Sequence, residues 1–398
     1  MAEFIRYQYN ILKARIEEPR QFIQVIAGPR QVGKSTLVNQ VLEGITVPYS
    51  FENADAVDVN DLEWIGRVWE SARILMKLRN ESEHLVVIDE VQKLNNWSEA
   101  VKREWDYDTR NKINIKVVLL GSSRLLIRKG LTESLAGRYE LIRVGHWSYN
   151  EMHDAFGISL DQYIYYGGYP GPAPLIANEQ RWRRYIKDSL VAPAIDKDVI
   201  MTSNIYKPAL MRQVFELGCS YSTELLSLTK MTGQLQDAGN VTTIAGYINI
   251  LSQCELLGGL QKYALDGARR YSSIPKFQVY NNALLTAYKG RKFENDRIAP
   301  DVWGRWVESA VGAYLVDNED ELGYHVYYWR EKNDEVDFIV VRDGDIYAIE
   351  VKSGRRGMNS GLSEFRRRFS PAKSFVVGTN GIPLEDFLTC NLDQLLSK

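Results

Sequence analysis

The chain has 398 residues, with 49 Lys and Arg against 51 Asp and Glu, a net charge of -2, and 45% apolar residues. That length exceeds one ordinary core and calls for two to four units. The balanced charge excludes a global pull toward nucleic acid or a membrane surface, so any polyanion site must be a local patch.

Three cysteines, Cys219, Cys254 and Cys390, are odd in number and far apart. They argue against a disulfide framework or a cysteine metal site and point to a reducing compartment. The opening "MAEFIRYQYNILKARIEEPR" is charged and has no apolar signal core, and no stretch approaches the ~20 apolar residues that span a bilayer. The expectation is a soluble cytoplasmic protein with no membrane partner.

From Phe22 to about Val144, the apolar runs "FIQVIAG", "VPYSFEN", "HLVVIDE", "IKVVLLGSS" and "YELIRVG" alternate with helical patterns. Continuous apolar strands separated by helices predict an α/β domain around a mostly parallel sheet, over residues 1–150. Gly and Pro cluster in "YYGGYPGPAP", and "EQRWRRYIKDSLVAPAIDKDVI" reads as a helix carrying Arg181, Arg183, Arg184 and Lys187 outward, so 151–215 is a helical connector. Residues 216–280 give three helical patterns and then an Asp-Gly turn in "YALDGARRYSS", a winged-helix-like order. Residues 281–398 place the helical "GRWVESAVGAYLVDN" before the strands "YHVYYWR", "EVDFIVV", "YAIEVK" and "SFVVG", a second α/β unit.

"GPRQVGKST" spans Gly28, Pro29, Arg30, Gln31, Val32, Gly33, Lys34, Ser35 and Thr36, directly after the strand "FIQVIA" and before a helical pattern. Such a loop wraps backbone N–H groups around the β- and γ-phosphates of ATP at a helix N-terminus. Lys34 adds a charge, and Ser35 is the candidate Mg²⁺ ligand. "HLVVIDE" then ends a strand on Asp89, for the Mg²⁺ shell, and Glu90, for polarising a water. Ser122 and Ser123 close "VVLLGSS" where hydroxyls can sense the γ-phosphate. Arg138 in "SLAGRYE" is a candidate arginine finger, in its own or a neighbouring subunit of a homo-oligomer. The competing reading is a surface arginine paired with Glu133 or Glu140.

In "NDEVDFIVVRDGDIYAIEVKSG", carboxylates stand in apolar strands. Glu350 and Lys352 share one face of a strand, and a hairpin around "RDGD" brings Asp337 toward them. Two carboxylates so placed suit Mg²⁺ or Mn²⁺ and phosphodiester chemistry on DNA or RNA. A hydrogen-bonded Glu-x-Lys beside a wet hairpin needs no metal, and that alternative stands beside the first. Arg355, Arg356 and the run Arg366, Arg367, Arg368 add local positive charge, as phosphate holders or a solvated helix face. The helix "NVTTIAGYINILSQCE" has no Lys or Arg for base reading, while Lys262, Arg269, Arg270 and Lys276 stand where a wing would touch a phosphate backbone.

Taken in order, "GPRQVGKST", "FENAD", "LVVIDEVQKL", "LLGSSRLL", "SLAGRYE", "YGGYP", "YWREKNDEVDF" and "AIEVKSG" resemble the prokaryotic AAA-type ATPases that carry a C-terminal DUF4143 region, over almost the whole chain. The resemblance implies an AAA+-like ATPase domain, a winged-helix segment and a domain similar to the PD-(D/E)XK nuclease fold, with Glu308 as its accessory acid. It puts the Walker A role on Gly28, Gly33, Lys34, Ser35 and Thr36, the Walker B role on Asp89 and Glu90, and the sensor and finger roles on Ser122 or Ser123 and Arg138. "VYNNALL" departs from the family, with Asn281 and Asn282 where an aspartate is usual. The function expected is Mg²⁺-dependent ATP hydrolysis coupled to a nuclease-like module, or a nucleotide-dependent switch whose C-terminal region binds a protein or DNA without cutting.

Overall fold

The computed structural model describes residues 4–121, 131, 134–200, 205–237, 239–267, 273–354 and 360–397. The chain divides into two compact units, residues 1–145 and 146–398.

The first unit is built on five parallel strands, β1 (Ile23–Ala27), β2 (Tyr49–Asn53), β3 (His84–Asp89), β4 (Ile115–Gly121) and β5 (Tyr139–Arg143), in the spatial order β2-β3-β4-β1-β5. Every residue of β1, β3 and β4 is buried. Both faces are covered, which is why these strands read as unbroken apolar runs. Val25, Val86 and Val117 join Trp69 of α3 (Trp64–Arg79) and Val101 and Trp105 of α4 (Trp97–Asn111) in one core. The intervening residues turn to the opposite face, where Lys116 of β4 donates to Ile16 O at 2.7 Å in α1 (Gln8–Glu17), which packs on α2 (Lys34–Glu43). All strands are parallel, so the C-terminal ends of β1, β3 and β4 share one edge, the edge where open α/β sheets bind ligands.

In the second unit, α5 (Tyr149–Phe156), α6 (Leu160–Tyr166) and α7 (Glu179–Arg184) precede π-helical turns over Tyr185–Val191 and Ala194–Ile200. Arg183 does not point freely outward as the sequence suggested; it donates to the carbonyls of Gly290 and Arg291. Helices α8 (Pro208–Ser220), α9 (Leu228–Gln234) and α10 (Val241–Gln253) lead to an antiparallel pair, β6 (Leu257–Leu260) and β7 (Lys276–Val279). Leu260 stands opposite Lys276, and the connection between them, residues 261–275, holds Asp266-Gly267 and runs in part outside the described residues. Part of that connection pairs elsewhere, with Tyr263 N donating to Tyr328 O and Tyr328 N to Gln261 O.

After α11 (Asn282–Lys289) and α12 (Phe293–Arg297), the long α13 (Pro300–Leu322) lies on a sheet of order β11-β10-β9-β8. Strands β8 (His325–Glu331), β9 (Asp334–Arg342) and β10 (Asp345–Lys352) are antiparallel neighbours. Strand β11 (Lys373–Gly378) follows α14 (Ser360–Phe369) and runs parallel to β10. The β9–β10 turn is the expected one, with Asp343 at φ 51° and Gly344 at φ 86°, both in the left-handed region a two-residue hairpin turn requires.

Asn281 and Asn282, at the departure from the family pattern, are structural. The Asn281 carbonyl oxygen accepts from Gly168 N and Ala283 N, each at 3.1 Å, while Asn282 Nδ2 donates to Ile164 O and Trp306 O. A β-carbon on Gly167, in "YGGYP", would come 2.0 Å from that Asn281 oxygen, so the motif is a close packing of backbone on an amide.

Candidate functional site

The phosphate loop leaves β1 at Ala27. A β-carbon on Gly28 would stand 2.0 Å from Val144 O, so only glycine lets the chain turn there. Gln31 (φ 59°) and Gly33 (φ 90°) take left-handed backbone, and Gly33 caps α2. The loop therefore curls around the N-terminus of a ten-residue helix, at its positive dipole end. Lys34 is buried and folds over the loop, donating to Gly28 O at 3.0 Å and Pro29 O at 2.7 Å.

Across the sheet edge, Ser35 Oγ donates to Asp89 Oδ2 at 2.8 Å, and Asp89 Oδ1 accepts from Glu90 N at 2.8 Å. Glu90 has left-handed backbone at φ 54°, and its Oε2 accepts from Gln92 Nε2 at 2.6 Å. A hydroxyl and a carboxylate in contact at a phosphate loop are a hard oxygen donor pair that fits Mg²⁺. Val32 is buried and Thr36 is exposed at the start of α2. Sequence reasoning missed Arg6, a buried arginine that donates to Val32 O at 3.3 Å and Gly145 O at 3.0 Å and so ties the N-terminal segment to the loop. It also missed Gln92, whose only signal is a polar residue two positions after the Walker B glutamate.

Ser122 and Ser123 lie outside the described residues. The strand before them ends at Gly121, in register with Ala27. Arg138 is not brought to this loop. Its carbonyl accepts from Ile23 N at the opposite edge of the sheet, the five-residue length of β1 away, roughly 16 Å. Of the two carboxylates expected as its surface partner, Glu133 lies outside the described residues, and Glu140 is not its partner. Arg138 Nε and Nη2 fork Asp106 of α4 at 2.8 and 3.1 Å, holding that carboxyl below the usual range, while Glu140 Oε2 accepts from Gln24.

In the second unit, Glu308, Asp337, Glu350 and Lys352 line one cavity of about 960 Å³ with Arg305, Arg330 and Glu335. Phe338 stands opposite Ile349, which brings Asp337 beside the end of β10, where Asp337 Oδ2 accepts from Val351 N at 2.7 Å. Glu350 is buried, and its Oε1 accepts from Lys352 Nζ at 2.5 Å. Lys276 is not on a wing surface. It is fully buried at the head of β7, its Nζ 2.6 Å from Glu308 Oε1, 3.9 Å from Glu335 and 4.0 Å from Asp337, and it donates to Asp337 O at 3.1 Å. Burial pushes the Glu308 carboxyl up to about 7, against the pull of the Lys276 ammonium. At Lys276, desolvation is outweighed by Glu308, Asp337 and Glu335, which hold the ammonium above its ordinary pKa.

A second divalent-metal site at these carboxylates is not shown. Among the described residues, no group of three or more His, Cys, Asp or Glu side chains is arranged to hold one. The two carboxylates of the sequence-expected pair line the same cavity, with Glu350 Oε1 engaged by Lys352 and Asp337 Oδ1 4.0 Å from Lys276 Nζ. Of the remaining charges, Lys262 pairs with Glu331, and Arg367 and Arg368 both bind Glu364, so they form a solvated helix face rather than an open phosphate patch. Arg355, Arg356, Arg269 and Arg270 lie outside the described residues. No described helix is long and apolar enough to cross a membrane.

Comparison with known proteins gives three consecutive family matches. Residues 20–153 match the AAA domain, 157–295 a domain of unknown function (DUF8612), and 303–390 another (DUF4143). The chain is 21% identical over 360 residues to an uncharacterized protein of Haemophilus influenzae, covering 86% of this chain and 85% of that one. Among solved structures, a Walker-type ATPase of Pyrococcus abyssi is similar at 13% identity and a TM-score of 0.45, covering 71% of this chain and 94% of the other. RuvB of Thermotoga maritima is similar at 15% identity and a TM-score of 0.34, with 63% and 85% covered. The Orc1 protein of Aeropyrum pernix, solved in complex with DNA, is similar at 12% identity and a TM-score of 0.31, with 72% and 91% covered. The phosphate loop lies within the AAA match and most residues lining the acidic cavity lie within the DUF4143 match, so the chain carries the AAA domain and the C-terminal DUF4143 region in the order expected of the AAA-type ATPases it resembles.

Proposed function

We propose that the chain binds ATP on residues 28–36 and hydrolyses it, and that turnover switches the state of the second unit. The observation that carries this reading is the Ser35–Asp89 contact of 2.8 Å at the mouth of a phosphate loop. Mg²⁺ held by Ser35 and Asp89 would neutralise charge on the β- and γ-phosphates. Lys34 exchanges two loop carbonyls for phosphate oxygens, the backbone of the loop orients the triphosphate, and Glu90 orients the attacking water and accepts its proton.

The test is ATP turnover by the wild type and Lys34→Ala with Mg²⁺ present. Turnover in the wild type and its loss in the variant support the reading; a wild type that binds no ATP sinks it.

For the second unit, we favour a switch that engages a protein or DNA partner over one that cleaves. Three helices followed by an antiparallel pair support a winged-helix-like segment, and α13 on a mixed sheet with the β9–β10 hairpin supports a nuclease-like module. Lys276 among the carboxylates favours binding over hydrolysis. Metal-dependent cleavage of DNA or RNA that Asp337→Ala or Glu350→Ala removes would reverse that preference. The three cysteines are all free, consistent with the reducing cytoplasm in which we place the protein.

A further inference from the structure

The cavity of the second unit poses a charge problem that the chain solves with its own side chain. Glu308 comes from α13, Glu335 and Asp337 from β9, and these three acids converge within 4.0 Å of one atom, Lys276 Nζ. A lysine is almost never fully buried unless it is paired, and this one is fully buried. An ammonium has three donors. One goes to Glu308 Oε1 at 2.6 Å and one to Asp337 O at 3.1 Å, which leaves the third on the side of the Glu335 and Asp337 carboxylates. Nζ also stands 5.0 Å from the ring centroid of Phe338, within cation–π range. These are the surroundings a divalent cation would have, with two differences. Only Glu308 comes as near to Nζ as a hard-cation ligand would, at 2.6 Å, with the other two acids at 3.9 and 4.0 Å, and a fixed positive charge already stands among them.

We propose that Lys276 is the resident cation of this carboxylate site: its ammonium, delivered by β7, takes the place of a divalent metal and keeps the native cavity from binding one. Two positive centres cannot share three carboxylates at this spacing without strong repulsion. The lysine also ties the head of the β6–β7 pair to α13 and β9, since β7 carries it while its partners lie on those two elements. The cavity is therefore a structural and binding feature of the native chain, and removing one cationic side chain should convert it into a metal site. This inference does not depend on ATP hydrolysis, because it is read without nucleotide and at different residues.

The experiment titrates Mn²⁺ into nucleotide-free full-length protein, following free Mn²⁺ by its electron paramagnetic resonance signal, and repeats it with Asp337→Asn, Lys276→Gln and the double variant. Lys276→Gln keeps the length of the side chain and removes its charge. The wild type should show no Mn²⁺ binding that Asp337→Asn removes, at up to ~1 mM metal. Lys276→Gln should gain one such site and show a thermal midpoint that Mn²⁺ raises, because ligand binding stabilises the folded state; the double variant should lose both. Wild-type Mn²⁺ binding that Asp337→Asn abolishes overturns the proposal, and that arm does not require any Lys276 variant to fold. A folded Lys276→Gln that binds no Mn²⁺ overturns it as well. ATP turnover measured on the same wild-type preparation reports separately on the first unit.

Discussion

Ser35 Oγ and Asp89 Oδ2 are in hydrogen-bond contact at 2.8 Å, although 54 residues separate them in the chain. The contact exists because β1 and β3 are parallel strands of one sheet, with β4 between them, and so deliver their C-terminal ends to the same edge. If this pair forms the divalent-ion shell, Ser35→Ala and Asp89→Asn should each lower ATP turnover by at least about 10-fold, as losing a metal-orienting group typically does. The Mg²⁺ concentration for half-maximal rate should rise in both. Steady-state rates across a Mg²⁺ titration decide it: an unchanged half-maximal concentration would mean that the contact is only structural.

Glu90 is held by Gln92 at 2.6 Å on left-handed backbone, so the carboxylate that should orient water is already engaged. Glu90→Gln should bind ATP but lower turnover about 10²-fold or more, the usual worth of a positioned general base. Gln92→Ala should change kcat by a few-fold and leave ATP affinity unchanged. An effect on affinity alone would place Gln92 in loop packing rather than in control of Glu90.

Arg138 lies at the wrong edge of its own sheet to touch its own phosphate loop, and it forks Asp106. An arginine finger is worth about 10³-fold or more in rate, whereas an exposed ion pair is worth about 0–1 kcal/mol in stability. If the finger acts in trans, Arg138→Ala should abolish turnover, and mixing it with inactive Lys34→Ala should restore part of the rate through shared interfaces. If the role is the ion pair, Arg138→Ala and Asp106→Ala should share one small drop in thermal midpoint with turnover intact. Rates of the single variants and of their mixture separate the two.

The loop at residues 28–36 and the strand end that faces it were legible in the sequence because their geometry is local. A phosphate cradle needs glycines within nine consecutive residues, and a strand that ends in Asp-Glu carries its own direction. The β9–β10 hairpin was legible for a similar reason, since Asp343-Gly344 interrupts two alternating strands. Asp266-Gly267 offers the same dipeptide, but the residues before it also pair with Tyr328 and those just after it lie outside the described residues. For Arg138, the own-subunit finger role overlooked the strand direction: a residue just before a parallel strand lies at the edge away from its own phosphate loop, which leaves the neighbouring-subunit role and the surface ion pair as its alternatives. Lys276 was the deepest miss. A lysine at the head of "KFQVY" looks like the rim of a wing, and its partners stand on α13 and β9, Asp337 being 61 residues away, where no periodicity links them.

The carboxylate cluster around Lys276 also fixes a pH dependence. Glu308 has an ordinary pKa of 4.5 and is pushed up to about 7 in the folded chain by burial, with Lys276 opposing and Asp337 and Glu335 adding to the rise. A carboxyl whose folded pKa exceeds its unfolded value holds its proton more tightly when folded. Its contribution to stability is therefore greatest at low pH and declines as pH rises from about 4.5 toward 7. Lys276 is raised above 10.5, so its contribution is constant through this window and is lost only in the alkaline range. The wild type should accordingly lose stability relative to Glu308→Gln between pH 5 and 7, by at most about 1.4 kcal/mol for each pH unit crossed, and the gap should be level between pH 7.5 and 9.5. Denaturant midpoints of the two proteins at matched pH values measure this difference directly. A gap that does not change from pH 5 to 7 would mean that Glu308 keeps an ordinary carboxyl pKa, and that one ammonium satisfies the three surrounding acids without any of them retaining a proton.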